Sequence, residues 1–333
     1  MVNFRYHIVS LVAVFLALAI GVVMGSTVID RVTVETLQSQ QRHLDDNLTK
    51  ARAENEKISG DLDNLSVANN QITQEVGERL VPGVLRDIPV LLIGIRGNDP
   101  AGRKELIDAL GPANARVQAT LWLSEKFKLT KLAEQKEMAE LLGLDEKSPT
   151  RLRRAGLESL GSTLRSLAIG EATDGTLLQK LSDGGFIEID SEGGDVPIGI
   201  LPGTRVLLTV TPEGVPTGEA KDPIVEANKN LGETVITLTK ALVGGSQAPI
   251  GLVLAEAALS DQPERALLLE VLRSDKSLER RFSSVDNLDQ PAGRVATLLA
   301  VSDLGADGFD HYGSGQGASR LIPAPPLVSS PKP

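Results

Sequence analysis

From Ile8 to Ile29 the chain carries no charged side chain (IVSLVAVFLALAIGVVMGSTVI). At about 1.5 Å rise per residue, roughly 20 such residues cross a hydrocarbon core about 30 Å thick. The run therefore predicts a transmembrane anchor over residues 1–29. Arg5 and the α-amino group precede it, with Phe4 and Tyr6 suited to the interface; Asp30, Arg31 and Glu35 follow. The positive-inside bias then places the N-terminus in the cytoplasm and everything after residue 30 outside it. The competing reading is a cleaved signal peptide, with Val23 and Gly25 as the small residues before a cut at Ser26. The apolar run is longer than the roughly 7–15 residues of a signal h-region, and the helical pattern continues past it, so an uncleaved anchor is expected. Ala13, Ala17, Gly21 and Gly25 share one helical face in a small-xxx-small pattern that lets two backbones approach closely in lipid.

Beyond the anchor the period changes. Leu37, Leu44, Ala51, Ile58, Leu65 and Ile72 recur every seven residues, and Val34, Gln41, Leu48, Asn55, Leu62, Asn69 and Val76 form a second series three residues earlier. The second series is position a and the first is d, and a sustained 3.5-residue period predicts a left-handed coiled coil over residues 30–81. Asn55 and Asn69 at a cost stability but pair with their symmetry mates in one register, which favours a parallel homodimer, with a higher oligomer as the alternative. The alternative is that this helix folds back on the chain's own globular domain. Pro82-Gly83 ends the helix, because Pro cannot continue it and Gly relieves the turn.

Residues 84–304 read as an α/β domain. Pro89 opens the continuous apolar run Val90-Leu91-Leu92-Ile93-Gly94-Ile95, the pattern of a strand buried on both faces in a parallel sheet. Val117–Trp122, Val206–Val210, Ile250–Ala255 and, more weakly, Phe282–Val285 are further strands. Helical patterns alternate with them. One begins at Asp222-Pro223 and carries Ile224, Ala227, Leu231, Val235, Leu238 and Leu242 on one face. Another follows the capping-box-like Asp261-Gln-Pro-Glu264. Others follow Pro149 (Leu157, Leu160, Leu164, Leu167) and Pro291 (Val295, Leu298, Leu299). Strand–helix alternation predicts a doubly wound, mostly parallel layer. The Gly- and Pro-rich tail, residues 305–333, is expected to be mostly irregular.

Composition narrows the function. The 333 residues have net charge −10, no cysteine and 3 % aromatics. An acidic chain gains no counterion-release energy from a phosphate backbone, so nucleic acid is not an expected partner. Disulfides and thiolate metal sites are excluded. No Walker A, GxGxxG or strand-borne GxSxG sequence is present, so no cofactor or catalytic residue is assigned and the chain is read as a non-enzyme. Gly313-Ser-Gly315-Gln-Gly317 has no predicted strand before it and reads as flexible tail. His7 lies at the rim of the anchor and His43 at an outward c position. His311, beside Asp310 and Tyr312, is the one histidine in a setting suited to a metal. Asp183, Glu188, Asp190, Glu192 and Asp195 make a loose acidic run whose oxygens suit a hard cation such as Ca²⁺; a solvated acidic loop is the simpler reading.

The opening NFRYHIVSLVAVFLALAIGVVMGST, the heptad stalk and an α/β region ending near His311-Tyr312-Gly313 together resemble the MctB family of actinobacteria. The likeness spans the whole chain, with the first thirty or so residues its most specific part. It implies an envelope protein, assigned by the family to the outer membrane, that acts in copper efflux and resistance, with copper as the transported ion. The residues themselves hold no copper ligand set: copper(I) prefers thiolates and thioethers and copper(II) imidazoles, whereas Met is limited to Met1, Met24 and Met138. A membrane β-barrel needs alternating strands with aromatic girdles, and these strands are continuous and poor in aromatics. Beside the copper reading stands a second: a dimeric, non-catalytic envelope scaffold whose α/β domain binds a protein partner or a cell-wall ligand. For dimerisation, Ala17, Gly21, Gly25, Leu44, Leu48, Asn55, Ile58, Leu62, Leu65 and Asn69 are the expected contacts.

Overall fold

The computed structural model describes residues 4–98, 100–172, 174–190, 200–211, 223–244, 250–257, 268–304 and 308–324. Asp222, the Asp261–Glu264 capping box, Glu192 and Asp195 lie outside the described residues, as do the side chains of residues 26–37 and 223–231. Two units are present, Met1–Asn69 and Asn70–Pro333. The helix α1 (Phe4–Leu80) supplies all the described structure of the first and enters the second.

In the second unit, seven strands form one sheet: β1 (Pro89–Ile95), β2 (Arg116–Leu123), β3 (Ile187–Asp190), β4 (Arg205–Val210), β5 (Leu252–Glu256), β6 (Ser283–Asp286) and β7 (His311–Tyr312). Their order is β3-β2-β1-β4-β5-β6-β7. Every neighbouring pair is parallel except β2 and β3. The helices are α2 (Arg103–Leu110), α3 (Leu132–Leu142), α4 (Pro149–Ala168), α5 (Thr176–Asp183), α6 (Pro223–Val243), α7 (Leu268–Ser274) and α8 (Pro291–Asp303).

The continuous apolar strands are buried on both sides, as a parallel sheet requires. Leu91 and Ile93 of β1 point into one core with Leu160 and Leu164 of α4 and Leu238 and Leu242 of α6. Val90 and Leu92 point into the other with Leu106 of α2, Leu298 and Leu299 of α8, and Val81 and Leu85. The period-2 alternation of a strand thus sorts one apolar run between two faces. Ser148 opens α4 as an N-cap whose side chain accepts from the Arg151 N–H, with Pro149 at the first helical position.

The last turns of α1 are anchored to this unit. Gly77 is buried, and a Cβ there would lie 2.7 Å from Val295 Cγ2 of α8. Leu80 packs against the same core. The chain from β1 steps outward to β2 and β3, then returns to β4 and proceeds the other way. The strand order therefore reverses between β1 and β4, the position where open α/β sheets form a crevice at their carboxyl ends.

Two expectations for the C-terminal half are revised. Gly313–Gly317 does follow a strand, since β7 pairs with β6 through Ser284–His311 and Val285–Tyr312, and Tyr312 is buried. Glu188 and Asp190 belong to the antiparallel edge strand β3 and not to an acidic loop. Asp183 ends α5, and its carboxylate accepts from Gln179.

Candidate functional site

At the carboxyl ends of β5 and β6 stand two acidic residues in register, Glu256 and Asp286. Both are buried. Glu256 accepts the N–H groups of Leu268 and Leu269 at 3.1 Å each, so it caps the start of α7. Burial pushes its carboxyl up to about 8, against the opposing pull of those two N–H groups and of Arg273. Asp286 accepts from Arg273 Nη1 at 2.7 Å, from the Ser314 N–H at 2.7 Å and from the Gly315 N–H. Arg273 also donates to Ser284 Oγ and to the Tyr312 carbonyl oxygen. Gly313 has φ +121°, and a Cβ there would fall 2.0 Å from Asp286 Oδ1, so the loop after β7 wraps the carboxylate only as glycine. The arrangement ties strand end, helix and C-terminal loop together.

His311 lies beside this knot. Its Nδ1 is 3.0 Å from Ser284 Oγ and its ring centroid 5.0 Å from that of Phe282. Burial first, and the Arg273 charge second, lower its pKa to about 4, so the imidazole is neutral near pH 7. Among the described residues no group of three or more His, Asp or Glu side chains converges in a way that would hold a metal ion. His7 and His43 are exposed on α1.

At the carboxyl ends of β1 and β2, Trp122 is approached by two guanidinium groups, Arg96 at 4.2 Å and Arg103 at 3.9 Å from its ring centroid. Its Nε1 donates to Asp190 Oδ2 at 3.0 Å, and Arg96 pairs with Glu188 at 2.6 Å. Arg103 is buried and donates to Thr209 Oγ1 of β4, across the reversal of strand order. A third feature is a cavity of about 500 Å³ between α4 and α6, lined by Arg153, Leu157, Glu233, Ile236 and Lys240 among others. Burial lowers the pKa of Arg153, and Glu233 at 3.7 Å opposes that shift.

The residues expected to mediate dimerisation are placed on α1. Ala17 is exposed, and Gly21 and Gly25 have no atom within 4 Å of a built Cβ. Leu44, Leu48, Asn55, Ile58, Leu62, Leu65 and Asn69 are all exposed. Among the described residues one helical segment, Arg5–Gly25, is long and apolar enough to cross a membrane. The arginine, glutamate and aspartate knot was not anticipated. Its sequence signal was an acidic residue directly after each of two expected strands, Glu256 after Ile250–Ala255 and Asp286 after Phe282–Val285.

Comparison with known proteins covers nearly the entire chain. A family profile described as "Copper transport outer membrane protein, MctB" matches residues 1–323. The protein called Copper transporter MctB in Mycobacterium tuberculosis (strain ATCC 25618 / H37Rv) is 29 % identical over 337 residues, which is 96 % of this chain and 99 % of the relative. The protein of the same name in Mycobacterium leprae (strain TN) is 26 % identical over the same proportions.

Proposed function

The chain belongs to the MctB family of copper transport outer membrane proteins, and from that premise we propose that it is a membrane-anchored envelope protein serving copper efflux and resistance. The observation that carries this reading is the match over residues 1–323, which takes in the anchor, the stalk and the sheet together. Arg5–Gly25 is the anchor, residues 30–81 are a coiled-coil stalk, and residues 84–304 are a doubly wound α/β domain on the far side of the membrane from the cytoplasm. Arg5 before the apolar run supports that orientation.

The ligand inventory favours a supporting role over direct coordination. The chain has no cysteine, and its three methionines and three histidines are widely spaced in sequence. Copper(I) is held by soft sulfur ligands and copper(II) by imidazoles. The second reading, a non-catalytic scaffold that carries a protein partner or a cell-wall ligand for an envelope transport system, rests on that shortage.

Copper tolerance of a deletion strain tests the family role: sensitivity that the full chain restores supports it, and unchanged tolerance removes it. Copper titration of the purified full chain in detergent separates the two readings. A dissociation constant weaker than millimolar supports the scaffold; tight, stoichiometric binding supports direct transport. A cysteine introduced into the α/β domain should react with an impermeant thiol reagent in intact cells, and labelling only after lysis contradicts the orientation.

A further inference from the structure

We propose that a second copy of this chain covers the exposed apolar stripe of α1 from Leu44 to Val76, with the two helices parallel and in register. The proposal deepens the stalk reading by naming the stalk's partner.

In the first unit, Leu44 and Leu65 are 62 % and 67 % exposed although they repeat at the spacing of a helix seam. A helix of this composition draws its stability mainly from packing an apolar face, so the stripe requires an occupant. The second unit shows which face the chain's own domain takes. Within Asn70–Leu80, Gly77 is buried against Val295, and Asn70, Thr73 and Leu80 are half-buried. These are the b and e positions of the heptad. Ile72 and Val76, at d and a, stay exposed in the same turns. The two faces lie about 100° apart at 3.6 residues per turn. Over residues 70–80 the second unit therefore packs on b and e and leaves Ile72 and Val76 open.

The stripe is complementary to itself. In parallel register Asn55 faces Asn55 and Asn69 faces Asn69, an alignment in which like amides can hydrogen-bond across the seam. Across the seam a g residue meets the e residue five positions on in the partner: Gln40 with Asp45, Asn47 with Arg52, Glu54 with Ser59 and Asp61 with Ser66. None of these pairs sets like charges together. An isologous twofold contact of this kind closes on itself.

The natural chain has no cysteine, so single-cysteine variants of the full-length protein report the contact directly. Leu65→Cys and Ile72→Cys sit at d, and Val67→Cys at the outward f position. A disulfide needs Cα atoms roughly 4.4–6.8 Å apart, a separation that in-register d positions provide and f positions do not. Mild oxidation in isolated membranes should convert both d variants largely to covalent dimers and leave Val67→Cys monomeric. Equal yields at all three positions, or none at d in protein whose helical circular dichroism is unchanged, would overturn the proposal. The mass of the unsubstituted chain in detergent should be twice 35.3 kDa; a monomer or trimer would also overturn it. Copper tolerance is scored in the same strains. Loss of cross-linking with tolerance intact sinks the pairing alone, and cross-linking with tolerance unaffected by deletion sinks the copper role alone.

Discussion

Arg273 and Asp286 meet at 2.7 Å with side chains only 2 % and 3 % exposed, and the pair joins α7 to the end of β6. Removing one partner of such a pair strands the other charge out of water, at a cost of about 3–5 kcal/mol. Asp286→Ala should therefore destabilise the α/β domain by about that amount in a urea titration of the full chain, and it should also free the Ser314 and Gly315 N–H groups. A loss below about 1 kcal/mol would mean that the pair is not shielded in solution.

A contrasting pair lies at the sheet edge. Arg96 and Glu188 also meet at 2.6 Å, but with side chains 40 % and 50 % exposed. Exposed pairs contribute about 0–1 kcal/mol. Glu188→Ala should shift the same unfolding midpoint little, and a shift comparable to that of Asp286→Ala would contradict the distinction drawn from burial.

Gly77 controls how the helix end seats on α8. Alanine is a better helix former than glycine by roughly 0.5–1 kcal/mol, yet its Cβ would stand 2.7 Å from Val295 Cγ2. Overpacking typically costs about 1–3 kcal/mol, so Gly77→Ala should be destabilising on balance. Val295→Ala removes the obstructing methyl, and the double variant should be more stable than the two single effects sum to. Additivity within about 0.3–0.5 kcal/mol would mean that the two residues are not in contact.

The pH profile follows from two shifted groups. Glu256 titrates near 4.5 when unfolded and near 8 when folded. Between those values the folded chain holds a proton that the unfolded chain has released, so this contribution is complete below about pH 4.5 and is lost as pH rises toward 8. His311 moves the other way, from 6.5 to about 4. Below 6.5 the unfolded chain takes up a proton that the folded chain declines, so stability from this group falls as the solution is acidified toward pH 4. The two slopes oppose each other between about 4.5 and 6.5. Thermal melts should show a plateau there and a decline from 6.5 to 8 that Glu256→Gln abolishes. A wild-type melting temperature that rises steadily to pH 8 would rule out the raised carboxyl.

The central strands could be read from local pattern because burial on both faces demands an unbroken apolar run. Val90–Ile95 and Val206–Val210 supply one each, and both strands form where expected. Pro149 and Pro291 marked helix starts for the same local reason. β3 escaped notice because in Ile187–Asp190 only Ile187 is buried, and its acidic members face Arg96 and Trp122 from a distant part of the chain. β7 escaped notice because two residues carry no periodicity; its place depends on Arg273 and Asp286. His311 stood out in sequence as a histidine near an aspartate. The structure gives it Ser284 and Phe282 as neighbours, contacts that no local spacing encodes. The end of α1 is the reverse case: its heptad repeat is plain in the sequence, whereas the face that packs on α8 becomes visible only through Gly77.

The loop that encloses Asp286 has a consequence for biogenesis. Ser314 and Gly315 leave the ribosome after every other strand of the sheet, yet their N–H groups bind the carboxylate at the end of β6. Until residues 311–315 arrive, Arg273 and Asp286 stay hydrated and β6, paired with β5 on one side, has no partner on its outer edge. The domain therefore completes its architecture only once residues 311–315 have been made. A chain truncated shortly before Asp310 is released with that joint open, and proteolytic surveillance can recognise it as unfinished.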